Sequence, residues 1–146
     1  MRTIAATLLP VLALGLAVSS GAACSRRADP PEQAAPAPVA VVPEVSVDEL
    51  DHLLASHRCV AVDANADTTR RRMGVIPGAV LLRDMDAVDQ LPADRTTGLV
   101  FYCANRACRA SHEAAEKALA AGYTHVRELP DGIAGWVQAG KQTSSI

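Results

Sequence analysis

Aromatic residues are almost missing from this chain: one Phe, one Trp and two Tyr make up 3% of its 146 residues. Phe101, Tyr102, Tyr123 and Trp136 are too few and too scattered to form a base-stacking platform. The only basic tract is Arg70-Arg-Arg72, in a chain of net charge −2. A nucleic-acid partner is therefore not expected. Four cysteines and four histidines are present, but none are grouped at zinc spacing, so neither a metal nor a cofactor is expected. No internal repeat is visible. The longest uncharged apolar run, Ile4 to Val18, has about fifteen residues, short of the roughly twenty that cross a bilayer as a helix.

That run fits the core of a signal peptide better. Met1-Arg2 supplies the positive start, and the small residues Ser19 to Ala23 lead into Cys24. Residues 1–23 are expected to be a signal peptide. Gly21-Ala-Ala-Cys24 resembles a bacterial lipobox, in which the cysteine is lipidated and becomes the mature N-terminus. A large aliphatic residue usually stands where Gly21 does, and ordinary cleavage after Ala22 or Ala23 is the alternative. Ser25 resembles a signal for the outer membrane. The expectation is export, with a lipid on Cys24 anchoring the chain to a bacterial membrane on its periplasmic side. Residues 24–43 are rich in Pro and Ala and carry little bulky apolar content, which predicts a semi-extended tether. Residues 44–141 are long enough for a single core, and 142–146 form a tail.

Within 44–141 the patterning alternates strands with helices. Val45–Val47 reads as a short strand and Asp48–Ser56 as an amphipathic helix, with Ser46 or Asp48 as its cap and Leu50, Leu53 and Leu54 on one face. Cys59–Val62 is an apolar strand ending at Asp63, and Asp67–Arg72 a short helix. Strands are expected at Ala79–Leu82, Leu99–Tyr102 and Tyr123–Leu129. A long helix spans Ala110–Ala121 and stops at Gly122. A closing helix runs from Ile133 to Ala139 with Trp136 inward. This alternation implies an α/β domain with a parallel sheet covered on both faces.

The chemistry centres on Cys103. It ends the apolar run Gly98–Tyr102, and the short segment Ala104-Asn-Arg-Ala-Cys-Arg109 separates it from the long helix. A strand end, a tight loop and a helix start gather backbone N–H groups, here expected from Ala104, Asn105 and Ala107, around a thiol. With Arg106 and Arg109 close by, this arrangement favours a thiolate and binds an anion. Cys103 is thus expected to react below the ordinary thiol pKa of about 8.5. Cys59 is expected to be buried and inert. Arg70–Arg72 read as a solvated helix face, Ser111 as a cap or helix-surface residue, and His112 as a surface histidine.

The ordered set Val62-Asp63, Gly74-Val-Ile-Pro-Gly-Ala79, Phe101-Tyr-Cys103, Ala121-Gly-Tyr-Thr-His-Val126 and Leu129-Pro-Asp-Gly-Ile-Ala-Gly-Trp136 resembles the rhodanese domain family over nearly all of 44–141. The resemblance implies a parallel sheet of about five strands and a catalytic cysteine, Cys103, that carries sulfur as a persulfide. A small sulfur-containing anion such as thiosulfate would be the donor, and a thiol, small or protein-borne, the acceptor. Asp63 matches the family's strand-end acid, a supporting hydrogen-bond acceptor.

The loop departs from the common pattern. Cys108 stands where an arginine is usual, and the distance from Cys103 to Gly122 is longer than usual. Cys108 opens an alternative, a dithiol–disulfide pair in which Cys103 attacks and Cys108 resolves. A non-catalytic module that binds sulfur species or a partner is a further reading. Another is an oxyanion enzyme built on Cys103-x5-Arg109, as in rhodanese-fold phosphatases and arsenate reductases.

Overall fold

The computed structural model describes residues 41–146. The expected signal peptide, the expected lipidation at Cys24 and nearly all of the expected tether fall outside the described residues. Helix α1, Val47–Ala55, begins where the Ser46 hydroxyl accepts the Glu49 N–H at 3.2 Å and buries Leu50 and Leu53. Next come β1, Val60–Asp63, α2, Asp67–Met73, and β2, Val80–Leu81. A single 3-10 turn at Val88–Gln90 leads to β3, Leu99–Tyr102. Helix α3, Ala110–Ala120, precedes β4, Val126–Leu129, and α4, Gly132–Gln138, closes the fold. Among the described residues, no helix is long and apolar enough to cross a membrane.

Strands β2-β1-β3-β4 form a four-stranded parallel sheet. The strand expected at Val45–Val47 shrinks to a single parallel bridge, Glu44 to Glu128, outside β4. Val45 N–H donates to the Glu128 carbonyl and Glu128 N–H to the Pro43 carbonyl. Pro43 has no N–H to extend the ladder, and Ser46 already caps a helix, so the fifth strand has no room to grow.

Alternation along each strand sorts side chains onto two faces. Val62, Leu99, Phe101 and Val126 pack with Ala114, Ala115 and Ala118 of α3. Ala61, Val100, Tyr102 and Leu129 pack on the other face with Leu50 of α1 and with Ile133 and Trp136 of α4. The alanine stripe of α3 lets that helix lie close to the sheet. Gly122, at φ +93°, ends it: Gly122 N–H bonds to the Leu119 carbonyl and Tyr123 N–H to the Ala118 carbonyl.

Candidate active site

Cys103 follows β3 on the parity of Leu99 and Phe101, which directs its side chain toward the start of α3. The residue is 1% exposed. Its thiol reaches the Cys108 carbonyl at 3.4 Å, and Ser111 Oγ lies 3.1 Å from its sulfur. The Ser111 backbone and the Cys108 thiol both influence its proton affinity. Burial pushes the Cys103 pKa up and the contact with Cys108 adds to the rise, against the opposing pull of Ser111. The sequence expectation of a depressed Cys103 is thereby corrected: the sulfur sits beneath the loop, not in its mouth.

Cys108 takes the more open place. Burial works to raise its pKa as well, but the hydrogen bond from Cys103 and those from the backbone N–H groups of Ala104 and Ala110 outweigh it and pull Cys108 down. Ala107 N–H is taken by the Asn105 side chain at 3.0 Å, and the Asn105 carbonyl accepts Cys108 N–H, which folds the loop into a turn.

The two arginines separate. Arg106 Nε donates to Asp131 at 2.7 Å, and its guanidinium lies 3.9 Å from Glu44. Arg109 makes no ion pair among the described residues. Both line a cavity of about 190 Å³ with Cys108, His112, Glu44 and Glu128.

Two buried side chains in this region were not expected from sequence. Ser111 is 1% exposed and Glu128 is 7% exposed. Ser111 Oγ donates to Glu128 Oε1 at 2.7 Å, and Glu128 Oε2 lies 2.9 Å from His112 Nδ1. Glu128 shares the parity of Val126, so a carboxylate on the α3 face of an apolar strand was a readable signal. Its nearness to Ser111 needed the β3–β4 register, which pairs Phe101 with Glu128.

Asp63 does not reach the cysteine loop by hydrogen bond. It pairs in register with Tyr102, and its Oδ1 accepts Asn65 N–H at 2.7 Å and Arg70 Nε at 3.2 Å. Arg70 also donates from Nη2 to the carbonyls of Asp63 and Leu82 at 3.0 and 2.8 Å. At 5% exposed, Arg70 is no solvated charge: it ties α2 to the ends of β1 and β2. Tyr102, whose hydroxyl accepts Ile76 N–H at 3.0 Å, is held strongly neutral by burial and by the Asp63 carboxylate. Cys59 is half-buried, and its pKa is raised by that burial against a weaker pull from Arg127. Among the described residues no three His, Cys, Asp or Glu side chains converge as a metal would require.

The loop is anchored from the far end of the chain. Ile133 N–H donates to the Cys103 carbonyl at 2.8 Å and Ala134 N–H to the Ala104 carbonyl at 3.0 Å. Gly132, at φ +60°, permits this approach, since a Cβ there would stand 2.4 Å from the Cys103 carbonyl oxygen.

These features define a class: a parallel α/β domain presenting a thiol in the strand-to-helix loop at the carboxyl edge of its sheet. The family model described as "Rhodanese-like domain" matches residues 46–139, and the chain belongs to that family. Solved structures agree on the fold. The human single-domain sulfurtransferase TSTD1 is 25% identical, with a TM-score of 0.56 over 67% of this chain and 97% of its own. A rhodanese-like domain protein from Staphylococcus aureus is 25% identical, with a TM-score of 0.57 over 71% of this chain and 100% of its own. The rhodanese-like domain of Alr3790 from Anabaena sp. is 24% identical, with a TM-score of 0.61 over 73% of this chain and 81% of its own. No curated protein sequence matches the chain.

Proposed function

We propose that the domain transfers sulfur through a persulfide on Cys103. The observation that carries this reading is the placement of the Cys103 sulfur at the end of β3, facing the first turn of α3, with Ser111 at 3.1 Å. The name of the human relative, a sulfurtransferase matched over 97% of its length, supports it. The Cys103 thiolate attacks the outer sulfur of a thiosulfate-like or persulfide donor. The bond from that sulfur to its former partner breaks, and the electron pair leaves with the partner, as sulfite from thiosulfate. The persulfide sulfur then passes to an acceptor thiol. Arg109, exposed at the cavity, orients the anionic donor by forked hydrogen bonds, while Arg106, engaged by Asp131 and Glu44, fixes the loop.

A second reading is favoured by the Cys103 sulfur lying 3.4 Å from the Cys108 carbonyl, which puts both cysteines in one short loop. Cys108 attacks the Cys103 sulfur of the persulfide, a Cys103–Cys108 disulfide forms, and the outer sulfur leaves as hydrosulfide. The bonds and electrons balance without an external oxidant, and an outside reductant resets the pair. We further propose that a lipid on Cys24 tethers the domain to a bacterial membrane on the periplasmic side.

Intact-mass measurement of the reduced protein after thiosulfate, followed by peptide mapping, tests both readings. One added sulfur on Cys103, removed by cyanide and absent in Cys103→Ser, is the expected result. Loss of two hydrogens with Cys103 joined to Cys108 selects the second reading. An unchanged mass with every sulfur donor tried overturns both.

A further inference from the structure

We propose that Ser111 and Glu128 form a proton relay that takes the Cys103 proton to the edge of the cavity, with Glu128 as the base that generates the thiolate and His112 holding its carboxylate in place. This rests on the reading of Cys103 as the sulfur-carrying nucleophile. At 1% exposed, the Cys103 thiol has protein groups rather than bulk water as its near neighbours for passing a proton. A hydrogen-bonded path leads from it to the cavity: Cys103 Sγ to Ser111 Oγ at 3.1 Å and Ser111 Oγ to Glu128 Oε1 at 2.7 Å, with Glu128 Oε2 held by His112 Nδ1 at 2.9 Å. The imidazole is partly exposed and lines the cavity with Cys108, Arg106 and Arg109.

Ser111 explains why the path conducts. Its hydroxyl has one hydrogen and two heavy-atom neighbours that can accept it, so it cannot donate to both. In one state the thiol donates to Oγ and the hydroxyl donates to the Glu128 carboxylate. In the other, Oγ donates to the thiolate and Glu128 holds the proton. Passing between them moves two hydrogens along existing hydrogen bonds and leaves no charge unaccounted for: thiol plus carboxylate become thiolate plus carboxylic acid. The thiolate then forms its bond to the donor's outer sulfur as sulfite departs. The Glu128 proton leaves with the departing sulfite as hydrogen sulfite.

Glu128 itself argues for a task. It is a carboxylate 7% exposed whose side-chain partners are a hydroxyl and an imidazole rather than an arginine or lysine, a costly arrangement to keep for packing alone. The charged and titratable groups facing the His112–Glu128 pair are Glu116 from α3, 3.6 Å from His112 Nε2, Arg106, Cys108 and Arg109 from the loop, and Glu44 from the edge segment.

The test follows two readouts on the full chain across pH: iodoacetamide alkylation of Cys103, resolved from Cys108 by peptide mapping, and persulfide formation from thiosulfate. Glu128→Gln keeps the shape and hydrogen-bonding reach but cannot take the proton. The expected result is both reactions slowed about 10²–10⁴-fold near neutrality, with rates that climb tenfold per pH unit where the parent protein is flat. Ser111→Ala, which cuts the path but leaves the Glu128–His112 pair, gives the same change should Glu128→Gln not fold. Parent-like rates and pH profiles in a folded variant overturn the relay. Alkylation that responds as expected, in a protein that never gains sulfur, upholds the relay and overturns sulfur transfer instead.

Discussion

The two loop thiols carry opposite shifts. Burial holds Cys103 protonated to higher pH than a free thiol, while hydrogen bonds from Cys103 and from the Ala104 and Ala110 backbone hold Cys108 ionised to lower pH. Timed iodoacetamide labelling at neutral pH, with peptide mapping, is therefore expected to mark Cys108 first, Cys103 later, and Cys59 last. Cys103 labelled ahead of Cys108 would contradict this assignment. Cys59 adds a stability signature. Its pKa is raised on folding, so its contribution is full below the unfolded value of about 8.5 and fades as pH rises through the folded one. Urea midpoints are expected to fall with alkalinity above that value, and less steeply in Cys59→Ala. At this scale the sequence revealed Cys103, because an apolar strand run ends on it. It hid how deep the sulfur lies and that Ala107 N–H is engaged elsewhere, since Asn105 uses its side chain to take that group. Ser111 and His112 were read as surface residues of α3. Their role depends on Glu128, a residue of another strand.

Among elements, the sheet strands were legible where apolar runs are long, as at β1 and β3, and illegible where one residue serves two structures. Ser46 could extend a strand or cap α1, and its hydroxyl caps. The run Arg70–Arg72 looked alike residue by residue, but helical spacing turns Arg70 inward and leaves Arg71 exposed. Breaking the buried Asp63–Arg70 pair by Arg70→Met leaves Asp63, 0% exposed, without its cation, and is expected to cost about 3–5 kcal/mol in urea unfolding. A loss below about 1 kcal/mol, the scale of exposed ion pairs, would show that the clamp carries little. Gly132→Ala places a Cβ 2.4 Å from the Cys103 carbonyl at a φ of +60°. It is expected to destabilise by about 1–3 kcal/mol from backbone strain alone, and to blur the difference in labelling between Cys103 and Cys108 because the loop loses its anchor.

At the scale of the whole chain, the proposed lipid and tether imply a division of labour between residues before and after about position 43. In bacterial cells, Cys24→Ser is expected to release the protein from the membrane fraction without altering thiosulfate-dependent mass gain by the domain. Membrane association unchanged in that variant would remove the anchor from the proposal. The anchoring of the cysteine loop by α4 has a consequence in time. Residues synthesised at the strand end are fixed by N–H groups synthesised some thirty positions later, at Ile133 and Ala134. A chain emerging from its N-terminus, or crossing a membrane unfolded, thus carries Cys103 as a plain cysteine open to any passing oxidant or thiol. Its reactivity becomes that of the folded site only when the last helix docks, so the completion of folding is also the moment the chemistry switches on.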